Sequence, residues 1–368
     1  LRRCVVAEGL PLRPRPFRLE RRAAATSDLG HALVAARRTR RRHELQPDVP
    51  AILGDMDKDL PRNRLGFATW LVDPKHPLTA RVAVNRHWQR LFGAGIVKSA
   101  EEFGVQGDWP SHPALLDWLA VHFTGSGWNT KALLKLIVTS ATYRQSSRTT
   151  PALLSRDPEN RLLTRGPRHR LDAEVIRDNA LSSSGLLVRK IGGAPVRPYE
   201  VSVSFKPLKR DKGEGLYRRS LYAFWRRTAP APVMMSLDAS KREVCAVRRE
   251  RTASPLQALV LMNDPQLVEA ARILGQRLLK KHAENSIAML GEMFRMLTGR
   301  NPDDSEKKIL KRLYKEQLDF FQANPEQAKK FLTTGDAAAD KELAPARLAA
   351  AGAVANVLLN FDEAVMKR

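Results

Sequence analysis

The sequence predicts a mainly α-helical protein, a multi-helix bundle-like domain with a small antiparallel β insertion. Three observations predict it. From residue 63 onward, apolar residues recur at helical spacing between Asn, Ser, Thr or Asp starts and Gly or Pro stops. The loops joining these stretches are short, as between antiparallel helical neighbours. One stretch, about 199–228, breaks the pattern: Tyr199 to Phe205 alternates Val and Ser, and Ser220 to Trp225 is aromatic-rich, as in a pair of strands.

The elements follow in order. Asn63 caps a helix through Leu65, Ala68, Leu71 and Val72, and Asp73-Pro74 ends it. Thr79 starts a stronger helix, Ala80 to Phe92, with Val84, Trp88, Leu91 and Phe92 as its apolar stripe and Gly93 and Gly95 as its stop. Ser111 with Pro113 opens the next, whose buried side is Leu115, Leu116, Leu119 and Phe123. Thr130 opens Lys131 to Tyr143. Residues 145–160, rich in Ser, Thr, Arg and Pro, read as a linker or excursion, before a helix from about Asp172 to Leu187. Beyond the strand-like stretch, Ser254-Pro255 starts a helix through Leu256, Leu259 and Met262, and Asp264-Pro265 launches another to about Lys281. Asn285 to Leu297, Asp304 to Phe321, and Pro345 to about Val365 complete the series, with 333–341 expected to be a mobile loop.

The first 45 residues are of another kind. They hold 12 Arg, no Lys and 4 acids, and so supply +8 of the chain's net +24. Pro11, Pro14 and Pro16 forbid a helix there. This segment reads as a polyanion-binding arm, a disordered tail, or sequence that is not native, such as an out-of-frame stretch on a fragment. Residues 46–62 read as a linker and 63–368 as the helical domain.

Composition narrows the functional classes. An apolar fraction of 43% in 368 residues is ample for a core. The charge and the pI of about 10.6 favour polyanionic partners: nucleic acid, anionic polysaccharide or anionic lipid. No apolar run approaches the roughly 18 residues of a membrane span. Two Cys exclude a disulfide scaffold and a four-thiolate metal site within one chain. There is no Cys-x-x-Cys-His haem attachment, no phosphate-cradling loop and no Gly-x-Ser-x-Gly elbow. Ser305-x-x-Lys308 reads as helix capping, and His112 and His122 lack a third metal ligand in register. No metal site and no cofactor are expected in this chain.

Three polar clusters remain. Arg81 and Asn85, four apart beside Trp88, are an anion-binding candidate or an interhelical tie. Glu174 and Asp178 share a helical face at the spacing of paired acid/base carboxylates, but Arg170 and Arg177 flank them, so an ion-pair network competes. The densest cluster is Arg248, Arg249, Glu250 and Arg251 before the Ser254 cap. Three guanidiniums beside a helix N-terminus suit an anion, and Arg226 and Arg227 are candidates to converge on them. The competing reading is a salt-bridged loop. Glu250 joins Glu174 and Asp178 as a candidate catalytic acid.

At these residues the chain resembles a known family. Asn63-Arg64-Leu65-Gly66, Pro77 to Val82, Asn85-Arg86, His112-Pro113, Ile137 to Ser147 and Asp157 to Leu163 carry the resemblance. So do Glu174-x-x-Arg177-Asp178, Arg248 to Thr252, Pro255 to Leu259, Asn263-Asp264-Pro265 and Leu359 to Glu363. Together they resemble a planctomycete-specific family, domain of unknown function 1553. The resemblance implies an exported, cell-envelope protein whose upstream part often carries a cytochrome-c-like, haem-bearing domain. It implies no catalytic residues. The expected function is therefore an accessory or binding module that docks an anionic ligand or partner surface through Arg248, Arg249 and Arg251. A hydrolase or lyase acting on acidic polysaccharide and a nucleic-acid-binding protein are the alternatives.

Overall fold

A computed structural model describes residues 48–199, 209–227, 229–283 and 285–367. The Arg-rich segment 1–45, the start of the linker and the Val/Ser half of the expected β insertion lie outside the described residues. Within them the chain holds fifteen α-helices and one two-strand antiparallel sheet, so the fold is mainly α with a small β element. The chain divides into two compact units. The first runs to Gln145 and takes in Thr149–Arg165; the second holds Ser146–Arg148 and everything from Gly166 onward. No described helix is long and apolar enough to cross a membrane.

In the first unit, the Asn63 side chain accepts the N–H groups of Leu65 and Gly66 and opens α1 (Arg64–Leu71). The linker packs onto this helix: Met56 is buried, and the Trp70 indole donates to Gly54 O. The core is set by α2 (Thr79–Phe92), α3 (Pro113–Gly125) and α4 (Thr130–Thr139). Val84, Trp88 and Phe92 meet Leu116, Leu119, Phe123, Leu133 and Ile137. Trp88 stacks on Phe92 at 4.1 Å, and Tyr143 meets Phe92 edge-on.

Two expectations fail in this unit. The helix expected to run unbroken to Tyr143 stops at Ser140, whose extended backbone and side-chain bond to Tyr143 N start a separate turn, α5 (Ala141–Arg144). The expected linker 145–160 contains α6 (Pro151–Arg156) and a structured loop. Asp157 is buried there because its carboxylate accepts the N–H groups of Arg161 and Leu162, which lets Arg161 reach Gly95 O and Ile96 O.

The second unit is organised by α7 (Ala173–Ser184), α8 (Pro232–Ser236), α9 (Pro255–Asn263) and α10 (Pro265–His282), followed by α11 (Ser286–Thr298), α12 (Asp304–Ala323), α13 (Pro325–Leu332), α14 (Pro345–Leu359) and α15 (Asp362–Val365). Helices α10 and α14 are its centre. They cross on small residues: a Cβ on Gly275 would meet Gly352 N at 2.8 Å, and one on Gly352 would meet the Phe331 ring at 2.8 Å. Such close approach buries Ala270, Ala271, Ala349, Ala350 and Ala351 completely. Strand β1 (His169–Arg170) pairs antiparallel with β2 (Met366–Lys367), in the register His169 to Lys367.

Three further differences stand out. The antiparallel pair lies at 169–170 and 366–367. The described part of 199–228 instead forms short 3-10 turns at Gly213–Leu216 and Ser220–Tyr222, with isolated parallel bridges Val188 to Arg218 and Val196 to Ala223. The helix α13 is an addition to the expected series. The loop 333–341, expected to be mobile, is tied down: the buried Glu269 carboxylate accepts Asp336 N and Ala337 N, and Gln276 accepts Asp340 N.

Candidate functional site

Two members of the expected guanidinium cluster, Arg249 and Arg251, are spent on carboxylates. Arg249 donates to Glu174 Oε2 at 2.7 Å and lies 3.8 Å from Asp172 Oδ2. Arg251 contacts Asp172 at 3.4 Å. The buried Arg170 donates to Asp238 Oδ2 at 2.6 Å. That carboxylate also accepts the Thr252 N–H at 2.7 Å and the Thr252 hydroxyl at 2.8 Å, along with the Gln257 amide. Three guanidiniums thus face three carboxylates, and residues 248–252 are pinned to α7 and to the segment after α8. Burial pushes the Asp238 carboxyl up, but the Thr252 bonds, the Arg170 charge and the Gln257 bond outweigh it and hold the group below its ordinary value. Burial and the Arg251 charge push His169 down to about 4, so its ring is neutral near pH 7. Arg248 and Glu250 are exposed.

The Glu174-x-x-Arg177-Asp178 motif is a staple, with its two carboxylates on separate duties. Arg177 is buried. Its guanidinium donates to Gln266 Oε1 at 2.6 Å, Leu216 O at 2.7 Å, Arg218 O at 2.9 Å and Ser220 Oγ at 3.1 Å. Asp178 accepts both the N–H and the hydroxyl of Ser220. Helix α7 therefore holds the segment 216–220 through a buried cation and a carboxylate acceptor. Glu174 pairs with Arg249, so the two carboxylates have different partners.

Arg81 and Asn85, in the first unit, are ties. Arg81 donates to Asp117 at 2.6 Å and to Pro77 O. Asn85 is fully buried and uses both amide atoms on Val97, at 3.0 and 2.9 Å. Its closeness makes Gly95 obligatory, since a Cβ there would lie 2.6 Å from the amide nitrogen. His122 stacks on Trp118 and His112 meets Ser111. Among the described residues no group of His, Cys, Asp and Glu is arranged to hold a metal ion.

One open cleft in the second unit is built on the segment that Arg177 and Asp178 hold. Arg218, itself buried, donates to the carbonyls of Lys190, Gly192 and Ala194 and lies 4.0 Å from the Tyr222 ring centre. This fixes the loop 190–194 against the Ser220–Tyr222 turn. Val196 N donates to Tyr222 O and Phe224 N to Val196 O, extending the floor. Opposite, the Trp225 indole N–H donates to Lys241 O at 2.9 Å, and the Arg242 guanidinium lies 4.9 Å from the Trp225 ring centre. The recess is open to solvent and has a volume of about 450 Å³. Tyr222, Phe224, Trp225, Leu221, Arg227 and Arg242 line it, and among the described residues its lining holds no Asp or Glu.

Arg227 is thus the member of the sequence-predicted set that reaches a cleft. Arg226 is half-buried and bonded elsewhere. Arg242, Arg218 and Asp238 went unread. No local spacing marks them, because their partners are brought in by the tertiary fold. The Trp and Tyr among Ser220 to Trp225 were the available signal, read as strand residues.

The family model for PSD1, described as a protein of unknown function (DUF1553), matches residues 63–314. No curated protein and no solved structure matches the chain.

Proposed function

This chain belongs to the DUF1553 family, and we propose that it is a non-catalytic binding module that docks an anionic ligand or partner surface. One observation carries the reading: the candidate acid/base carboxylates Glu174 and Asp178 are committed to structural donors, whereas Arg227 and Arg242 line an open cleft whose described lining holds no acid. Exposed Arg248 adds to the cationic surface. Docking moves from Arg249 and Arg251, which are paired, to these three. The pairings of Glu174 and Asp178 count against the hydrolase alternative, whose other candidate acid, Glu250, is exposed.

The test is fluorescence anisotropy of labelled dextran sulfate against the whole chain. We expect binding at 50 mM salt that weakens steeply by 300 mM, as counterion release requires. Replacing Arg227, Arg242 and Arg248 together by Glu abolishes it. Undiminished binding by that triple variant overturns the reading. Tighter binding of a random-sequence oligonucleotide than of dextran sulfate would instead favour the nucleic-acid alternative.

The setting we infer is an exported, cell-envelope protein partnered with a haem-bearing, cytochrome-c-like domain or protein. Its support is the family resemblance. Recovery of the native protein in the cytoplasmic fraction, with no haem-bearing partner on cross-linking, overturns it.

A further inference from the structure

Resting on the anion-docking reading and sharpening it, we propose that the Trp225 cleft binds one class of ligand: an acidic saccharide unit, a sugar ring bearing a carboxylate or a sulfate ester. Arg242 and Arg227 hold the charged group, and Phe224 and Leu221 receive the carbon face of the ring.

The geometry of Arg242 is the first argument. Its guanidinium sits 4.9 Å from the Trp225 ring centre. A stacked guanidinium uses its face on the indole and keeps its in-plane N–H edge for a carboxylate or sulfate, which it meets with two parallel bonds. The indole fixes the same loop a second time, through its N–H to Lys241 O at 2.9 Å. The donor fork is therefore positioned before any ligand arrives.

Backbone conformation is the second argument. Arg242 has φ of +59°, a left-handed conformation that Gly, Asn or Asp adopts more cheaply. Strain of this kind persists where surrounding contacts over-determine it, and ligand clamps are among the sites where it clusters. Here the two Trp225 contacts over-determine it.

The lining supplies the rest. Leu221 is 75% exposed and Phe224 47% exposed, so an apolar patch lies open beside two cations. A volume of about 450 Å³ falls in the range of small-molecule sites, roughly 300–1,000 Å³. A nucleobase fits less well. Base stacking along a strand needs several open ring faces, and Trp225 and Tyr222 each already carry a guanidinium, from Arg242 and Arg218, which leaves Phe224 as the one exposed ring among the described lining residues. A sugar needs only a modest apolar contact beside a charged grip.

Calorimetric titration of the whole chain tests this with four probes: oligogalacturonate, a sulfated oligosaccharide, a neutral malto-oligosaccharide and inorganic sulfate. Binding of either acidic probe, with at least tenfold preference over the neutral one, is the expected result. The two acidic arms distinguish a carboxylate from a sulfate ester. Arg242→Gly should weaken binding tenfold or more while leaving the thermal midpoint unchanged or higher, because Gly relieves the left-handed strain. Arg242→Lys keeps the charge, loses the planar fork, and should restore binding only in part. Equal binding of the neutral probe, or of inorganic sulfate mole for mole, overturns the saccharide assignment. If wild type binds dextran sulfate but Arg242→Gly binds the acidic probes as wild type does, the cleft assignment falls and the docking reading stands. If wild type binds no polyanion, both fall.

Discussion

The two units of this chain solve burial differently. The first closes on aromatic rings, Trp88 on Phe92 with Tyr143 at the edge, and admits a fully buried amide, Asn85, and a buried carboxylate, Asp157. The second closes on small residues at the α10–α14 crossing and accepts buried charges around it: Arg170, Arg177, Arg218, Glu269 and Arg272. Buried charge is a costly way to gain stability and a good way to fix a position. In the second unit it fixes irregular backbone. Arg177 and Arg218 bind carbonyls of segments without regular hydrogen-bond ladders, and the cleft stands on those segments. The first unit carries its polar ties into loops as well, as Arg161 does to Gly95 and Ile96. Polar staples inside the second unit are therefore what shape its candidate site.

The sharpest way to break this comparison is to damage each unit by its own means. Trp88→Ala should cost about 4 kcal/mol in urea unfolding, the usual toll of deleting a large buried ring, while leaving acidic-probe binding intact in the folded protein. Loss of binding at native conditions would show that the units are not separable in this way. Arg177→Ala should cost about 3 kcal/mol, because it strands the buried acceptors at Leu216, Arg218 and Gln266. It should also weaken probe binding, since segment 216–220 loses its anchor. Unchanged binding would show that the staple does not shape the cleft.

A pH series tests one half-buried group of the second unit. His169 in the second unit is held down to about 4 from 6.5 by burial and by Arg251. The unfolded chain therefore takes up this proton first as pH falls. The contribution is full above pH 6.5 and is lost progressively down to about 4. Between pH 7 and 5 the loss is about 2 kcal/mol from this group. Denaturant midpoints at the two pH values should show the slope, and His169→Asn should flatten it. The smallest effects sharpen the comparison from the other side. Asn129→Ala in the first unit and Ser254→Ala in the second each remove an N-cap and should each cost about 1 kcal/mol. Caps are local, so their cost should not depend on which core lies beneath; a threefold disparity in thermal-shift measurements would contradict that.

How much of this was legible follows from where each partner lies. Helix starts at Asn63, Ser254, Asp264 and Asn285 were readable because a cap and the N–H it satisfies lie within three residues. The break at Ser140 was missed because an apolar stripe continues across it at helical spacing. The loop 333–341 looked mobile because its composition is Ala, Asp and Gly, yet Glu269, nearly seventy residues earlier, supplies the acceptor its N–H groups need. The candidate sites divide in the same way. Clusters of Arg and carboxylate were visible as clusters, while their use was hidden: Arg249 meets Glu174 across 75 residues and Arg177 meets Gln266 across 89.

The sequence by itself determined the helices, their caps and the cationic character, because these depend on side-chain chemistry within a turn or two of the chain. Only the tertiary structure decided which arginines are neutralised in the scaffold and which line the cleft at Trp225. A guanidinium is spent or available according to the carboxylates and carbonyls within about 4 Å of it, and folding brings those from distant parts of the chain.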